Sequence, residues 1–199
     1  QNPYTDEDYF AYVDGKPRYN GVRDFFASRG ITLPEGDPSD GPAAQTICGL
    51  GNRKNDLFNT VLARDGIQPY PGSRRWVDRL HESGMAMAVV SSSRNAAAVL
   101  KAAGMVEDFS VLVDGNRSKT ERLPGKPAPD TYLRGAELLG VPAEQCVVVE
   151  DAVSGVRAGA AGGFGMVLGV NRGVGADRLR EAGADRVVDD LDEMVEEMA

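Results

Sequence analysis

Residues 146–156 constrain the fold more than any other part of the chain. Cys146-Val147-Val148-Val149 runs directly into Glu150-Asp151, and Ala152-Val153-Ser154-Gly155-Val156 follows at once. An unbroken apolar run bounded in this way is expected to form a strand buried on both faces, as in parallel sheets. Glu150 and Asp151 then lie at the strand's C-terminal end, the edge at which open α/β sheets bind ligands. From residue 152 to 161 the chain resumes as a small-residue helix able to pack closely on the sheet. Adjacent carboxylates repel, so a cation or a proton must compensate them. A hard divalent ion such as Mg²⁺ suits them, since it takes one or two carboxylates and keeps several waters. The alternative is a helix N-terminus that simply favours acids.

The rest of the chain reads as two parts. Residues 1–68 are expected to be all-helical. Tyr9, Phe10, Tyr12 and Val13 fall at near-helical spacing behind Thr5 and Asp6. Asp14-Gly15-Lys16-Pro17-Arg18 reads as a turn, and residues 22–29 as a short helix with Phe25 and Phe26 inward, closed by Gly30. Residues 33–42, rich in Pro, Gly and Asp, predict an exposed loop. Residues 53–64 predict a helix with Leu57, Phe58, Val61 and Leu62 on one face. From residue 69 to 199 strands and helices alternate. Helices are expected at 73–83, with Ser73 as N-cap, and at 95–103, 129–139, 176–182 and 191–198. Strands are expected at 85–90, 109–113, 147–149, 166–170 and 187–188, with a polar loop at 114–125. Alternation of this kind means βαβ units and a parallel sheet. The fold class is therefore α/β, a Rossmann-like layer carrying an N-terminal helical unit.

At 199 residues and 42% hydrophobic, the chain can bury a substantial core. A net charge of −8 argues against nucleic acid or an anionic membrane as partner. It leaves open a phosphorylated small molecule, because basic residues can still gather locally. Cys48 and Cys146 lie far apart and one opens a buried strand, so no disulfide and a cytoplasmic location are expected. No apolar run approaches membrane-spanning length. The polar start, Gln1-Asn2-Pro3-Tyr4-Thr5-Asp6, reads as a linker into a helix.

Three strand ends point chemistry at one sheet edge. Ser91-Ser92-Ser93-Arg94-Asn95 brings hydroxyls and amides to a helix N-terminus, which suits a phosphate; ordinary serine capping is the alternative. Gly125-Lys126-Pro127-Ala128-Pro129-Asp130 holds a lysine beside proline, limiting its backbone freedom so that its ammonium can be aimed. A solvated lysine before a Pro-initiated helix would look the same. The third end is Glu150-Asp151.

In this order, serine loop, Lys-Pro-Ala-Pro-Asp and then Glu-Asp, the chain resembles the haloacid dehalogenase superfamily of phosphatases and phosphomutases. The closest likeness is to its β-phosphoglucomutase-like branch with a helical cap, and it covers essentially the whole chain. The resemblance implies that Ser91 binds the transferring phosphate, Lys126 is the fixed cation, and Asp151 holds Mg²⁺ with Glu150 alongside. It further implies that Arg18 of the cap reaches a substrate phosphate, and that Lys54 and Asn55 face a sugar. Ser92, Ser93, Arg94 and Asn95 then lie with the core groups that hold a substrate, the last three matching those for a non-reacting phosphate. The implied protein is a monomer acting on a phosphorylated metabolite through an aspartyl-phosphate, as a mutase or a phosphatase.

One element of the family pattern is absent. The resemblance calls for an Asp-x-Asp-Gly loop after a central strand, its first Asp the nucleophile. Asp6-Glu7-Asp8 follows a linker, and Asp190-Leu191-Asp192 is followed by Glu193 rather than Gly, so both are expected to be acids near helix starts. The strand and nucleophile are expected upstream of Gln1, or the slot is filled by another piece. Without that strand its neighbours keep unpaired backbone groups. A fragment lacking the nucleophile would be inactive, and a non-catalytic binding or regulatory protein of the same fold is the rival reading. A flavodoxin-like cofactor binder shares the sheet but leaves Lys126 and the acid pair unexplained.

Overall fold

The computed structural model describes residues 3–197; Gln1 and Asn2 of the expected linker and Met198 of the expected terminal helix lie outside the described residues. The chain divides into two compact units, Gln1–Ile67 and Gln68–Ala199.

The first unit is built from α1 (Asp6–Asp8, continuing as a π-helical turn Tyr9–Val13), α2 (Arg18–Ser28) and α3 (Ile47–Asp65). Thr5 and Asp8 form a reciprocal capping box at the start of α1. Arg18 opens α2 rather than closing a turn, because Pro17 supplies an extended residue just before it. α3 starts at Ile47, well before the expected residue 53. Thr46 caps it by accepting the Gly49 amide at 2.9 Å. Ile47 and Cys48 are buried, whereas Leu57, Phe58 and Val61, expected on one face, are 62%, 40% and 48% exposed. The apolar periodicity therefore marks the helix correctly but not its buried end. Glycines decide that end: a Cβ at Gly51 would come within 2.7 Å of the Tyr19 ring, so the bare backbone lets α2 approach. The loop before α3 is tied down by Asp40, whose Oδ2 accepts from Thr46 Oγ1 at 2.6 Å and the Asp37 amide at 3.1 Å.

The second unit alternates α4 (Pro71–Glu82), β1 (Ala88–Val90), α5 (Ala96–Ala102), β2 (Val111–Val113), α6 (Gly115–Thr120) and α7 (Asp130–Leu139). It continues with β3 (Val147–Glu150), α8 (Val153–Ala161), β4 (Met166–Val170), α9 (Ala176–Glu181), β5 (Arg186–Val188) and α10 (Asp192–Glu197). Every ladder is parallel. β1 pairs with β2, and β3-β4-β5 form a separate sheet with Val147 opposite Met166 and Leu168 opposite Arg186. Leu168, Val170, Val188 and Leu191 form the core of the second sheet, with Trp76, Val149 and Met194 packed on it. Each fully buried Leu or Val contributes about 1.5–3 kcal/mol. Gly159 of α8 sits where a Cβ would come within 3.1 Å of Val148 and Val167, which permits the expected close helix–sheet packing.

Three expectations need correction. β3 is not buried along its whole length: Val147 at its start is 53% exposed, although Val149 on the same face packs on the core and Val148 on the other face is 4% exposed. The polar stretch 114–125 contains α6, capped by Asp114, whose carboxylate accepts the Asn116 and Arg117 amides. Ser73 is not a cap, since Pro71 takes the first helical position of α4.

Candidate functional site

β1 and β3 belong to different sheets, yet their C-terminal ends meet at one side chain. Lys126, its side chain only 5% exposed, donates to the Val90 carbonyl at 3.3 Å and ion-pairs with Glu150 Oε1. Its ammonium also lies 4.6 Å from the centroid of the Tyr132 ring, within cation–π range. The turn before α7 brings these groups together: Lys126 precedes it, the Ala128 amide closes on the Gly125 carbonyl at 3.0 Å, and Tyr132 sits in the first turn of the helix.

Glu150 is held on both oxygens. Oε1 accepts from Lys126 and from the Tyr132 hydroxyl at 2.6 Å; Oε2 accepts the Asp151 amide at 3.1 Å and the Ala152 amide at 3.0 Å. A charge this buried is tolerated only when paired and hydrogen-bonded in this way. Gly155 makes the room, since a Cβ there would overlap the Glu150 carboxylate. Burial, then the nearby Glu150 charge, pushes the Tyr132 hydroxyl far above the usual phenol range, so it remains a neutral donor. Its ring packs edge-on against Phe164, with centroids 6.0 Å apart.

Asp151, next along the chain, is exposed. An exposed carboxylate beside a buried one, both oxygen donors, fits a hard divalent cation that takes one or two carboxylates and completes its shell with water. Glu150 would join as a ligand only by exchanging one of its present partners. Among the described residues, no three His, Cys, Asp or Glu side chains gather as a ready-made metal cluster.

The serine stretch leaves β1 as a tight turn. The Ser91 amide bonds the Val113 carbonyl at 2.9 Å, the Ser93 amide bonds Ser91 Oγ at 3.1 Å, and the Asn95 amide bonds Ser93 Oγ at 3.1 Å. Asn116 Nδ2 holds the Arg94 carbonyl at 3.0 Å, and Gly115 allows close approach to the Ser92 carbonyl. Ser91, Ser92 and Asn95 are half-buried, while Ser93 and Arg94 are exposed. Ser91 follows Val90 in the chain and Lys126 donates to the Val90 carbonyl, so both meet the same strand end.

In the first unit, Arg18 Nη2 donates to Asn55 Oδ1 at 2.6 Å and Nη1 to Asn52 Oδ1 at 3.3 Å, while Lys54 is exposed. Arg18 and Asn55, singled out separately in the sequence, are therefore neighbours. The two Asp-x-Asp stretches have structural work. Asp8 pairs with Arg29 at 2.5 Å. Asp190 accepts the Asp192 amide at 3.0 Å and Arg172 at 3.0 Å, and Asp192 pairs with Arg75. Sequence reasoning missed Tyr132 and Asn52. Asn52 stands directly before the Arg53-Lys54-Asn55 segment, but nothing in either neighbourhood signals what their polar atoms bond.

The sequence model of the haloacid dehalogenase-like hydrolase family matches residues 3–163. The chain is 49% identical over 191 residues to a β-phosphoglucomutase of Mycobacterium bovis, covering 94% of this chain and 73% of that protein. It is 33% identical over 190 residues to hexitol phosphatase A of Escherichia coli, covering 94% and 77%. The crystal structure of a β-phosphoglucomutase from Clostridium difficile superposes with a TM-score of 0.78, covering 98% of this chain and 81% of that one; at 20% identity it speaks to the fold alone.

Proposed function

The chain is an enzyme that belongs to the haloacid dehalogenase-like hydrolase family, and from that premise we propose that it is a Mg²⁺-dependent phosphotransferase acting on a sugar phosphate, in the manner of a β-phosphoglucomutase. The observation that carries this reading is Lys126, buried and pinned between Val90 at the end of β1 and Glu150 at the end of β3, the residues that directly precede Ser91 and Asp151 in the chain. A fixed cation at a strand-end cleft stabilises charge that develops on a transferring phosphoryl group, and being already in place it costs no reorganisation.

In this reading the nucleophile is a carboxylate on a further parallel strand seated between the edges of β1 and β3 that have no strand partner among the described residues, where a strand lies about 4.8 Å from each neighbour. That carboxylate attacks phosphorus and the substrate oxygen leaves, giving an aspartyl-phosphate. Lys126 and the Ser91 hydroxyl hold the phosphoryl oxygens, and Glu150 keeps Lys126 oriented. Asp151, with Glu150 alongside, would hold Mg²⁺, which when bound neutralises phosphoryl charge. Residues 1–68 serve as a cap contributing Arg18 to a phosphate and Lys54 and Asn55 to the sugar. Ser92, Ser93, Arg94 and Asn95 receive the second phosphate of a bisphosphate intermediate. The enzyme works as a cytoplasmic monomer.

A phosphatase is the second reading, favoured by the 33% identity to a hexitol phosphatase. The full-length protein, given β-glucose 1-phosphate, Mg²⁺ and a trace of the 1,6-bisphosphate, separates the two. Glucose 6-phosphate supports the mutase; free phosphate supports the phosphatase.

A further inference from the structure

The Asn52 side-chain amide has all its hydrogen-bonding capacity in use. Its Nδ2 donates to the Pro38 carbonyl at 3.1 Å and the Asp40 carbonyl at 2.9 Å. Its Oδ1 accepts from Arg18 Nη1 at 3.3 Å and from the Tyr19 hydroxyl at 3.0 Å. An amide has two donor hydrogens and two acceptor lone pairs, so no site is spare, and rotating the amide by half a turn would set donor against donor at Arg18 and Tyr19. The carbonyls that fix it are fixed in turn. Asp40 is tied to Thr46, the cap of α3, and to the Asp37 amide, so Asn52 is anchored at both its own helix and the preceding loop. Gly51 adds to this: a side chain there would meet the Tyr19 ring and, at 3.3 Å, Arg18 Cγ, so α3 is shaped to receive this pair.

We propose that Asn52 is a positioning residue: it fixes the Arg18 guanidinium, together with Asn55 on the next turn, and so sets the enzyme's affinity for the phosphate that Arg18 binds. This rests on the reading of Arg18 as a phosphate anchor. A guanidinium recognises phosphate through a planar fork, and a long side chain held in one orientation loses less freedom on binding.

The test is a double-mutant cycle in the full-length enzyme with β-glucose 1-phosphate as the probe. Asn52→Ala is expected to raise KM about tenfold, the scale of one hydrogen bond to a charged group, with kcat little changed. In an Arg18→Ala background the same change is expected to add nothing. Asn52→Asp keeps an acceptor toward Arg18 but turns a carboxylate oxygen onto the Pro38 and Asp40 carbonyls, so it breaks the anchor and is expected to leave KM raised. An equal penalty in both backgrounds would assign Asn52 to holding the loop, and a wild-type KM in Asn52→Asp would show its anchorage to be unnecessary; either result overturns the proposal. The Nε–H resonance of Arg18, identified by its loss in Arg18→Lys, gives a readout without substrate; it is expected to shift in Asn52→Ala, and an unmoved signal overturns the proposal. If Arg18→Ala leaves KM unchanged, the phosphate-anchor reading fails, and the resonance alone decides the positioning claim.

Discussion

Tyr132 gives its ring to Lys126 and its hydroxyl to Glu150, so Tyr132→Phe separates the two contributions. The ring contacts survive in the variant, while a buried carboxylate loses one of its donors. The expected cost is about 1–3 kcal/mol in chemical denaturation, together with a lower kcat as Glu150 loosens its hold on Lys126. The raised hydroxyl also has an alkaline signature. Because its folded value lies above its unfolded one, its contribution to stability is complete below about pH 10 and is lost as pH rises beyond that. Tyrosinate absorbance gained by the folded protein between about pH 9 and 11 is therefore expected to be the same for wild type and Tyr132→Phe. A smaller gain in the variant would show Tyr132 titrating normally. Lys126→Met removes the partner of a carboxylate whose side chain is 10% exposed. Breaking a buried pair from one side costs about 3–5 kcal/mol, and turnover should vanish with it. At this scale, Lys126, Glu150 and Asp151 were legible because each sits in a short stretch with a physical reason for its residue types. Tyr132 and Asn52 were not, since a hydroxyl or an amide reveals its partner only once the fold is made.

Among the elements, periodicity and breaker residues located most helices, and the run 166–170 marked β4 at both ends. What failed was the assignment of burial. The triple valine of β3 reads as a strand with both faces covered, yet Val147 at its start is exposed, and among the described residues β3 pairs only with β4. Pairing is a property of the sheet and leaves no mark in a local run. α3 shows the complementary error. Its apolar face over residues 57–62 marks it as a helix, whereas its buried end is the glycine-rich start, where close approach matters more than side-chain size. Thr46 fixes that start. Thr46→Ala is expected to destabilise the protein by about 1 kcal/mol, the usual worth of a helix cap, measured as a shift in denaturant midpoint at constant slope. An unchanged midpoint would mean that the Asp40 and glycine contacts hold α3 without the cap.

At the scale of the whole molecule, the alternation of strands and helices made a parallel α/β layer readable from the sequence, and the family match and structural neighbours bear that class out. Among the described residues the strands divide into β1-β2 and β3-β4-β5, with β1 and β3 each paired along one edge. Lys126 joins the ends of β1 and β3, and that junction is the proposed phosphoryl-transfer centre. Phosphorus NMR of the full-length protein with β-glucose 1-phosphate, Mg²⁺ and a trace of the 1,6-bisphosphate tests it most directly. Loss of the 1-phosphate signal with growth of the 6-phosphate signal, abolished by Lys126→Met, is the predicted result. Persistence of the 1-phosphate unchanged, or turnover that survives Lys126→Met, would contradict it.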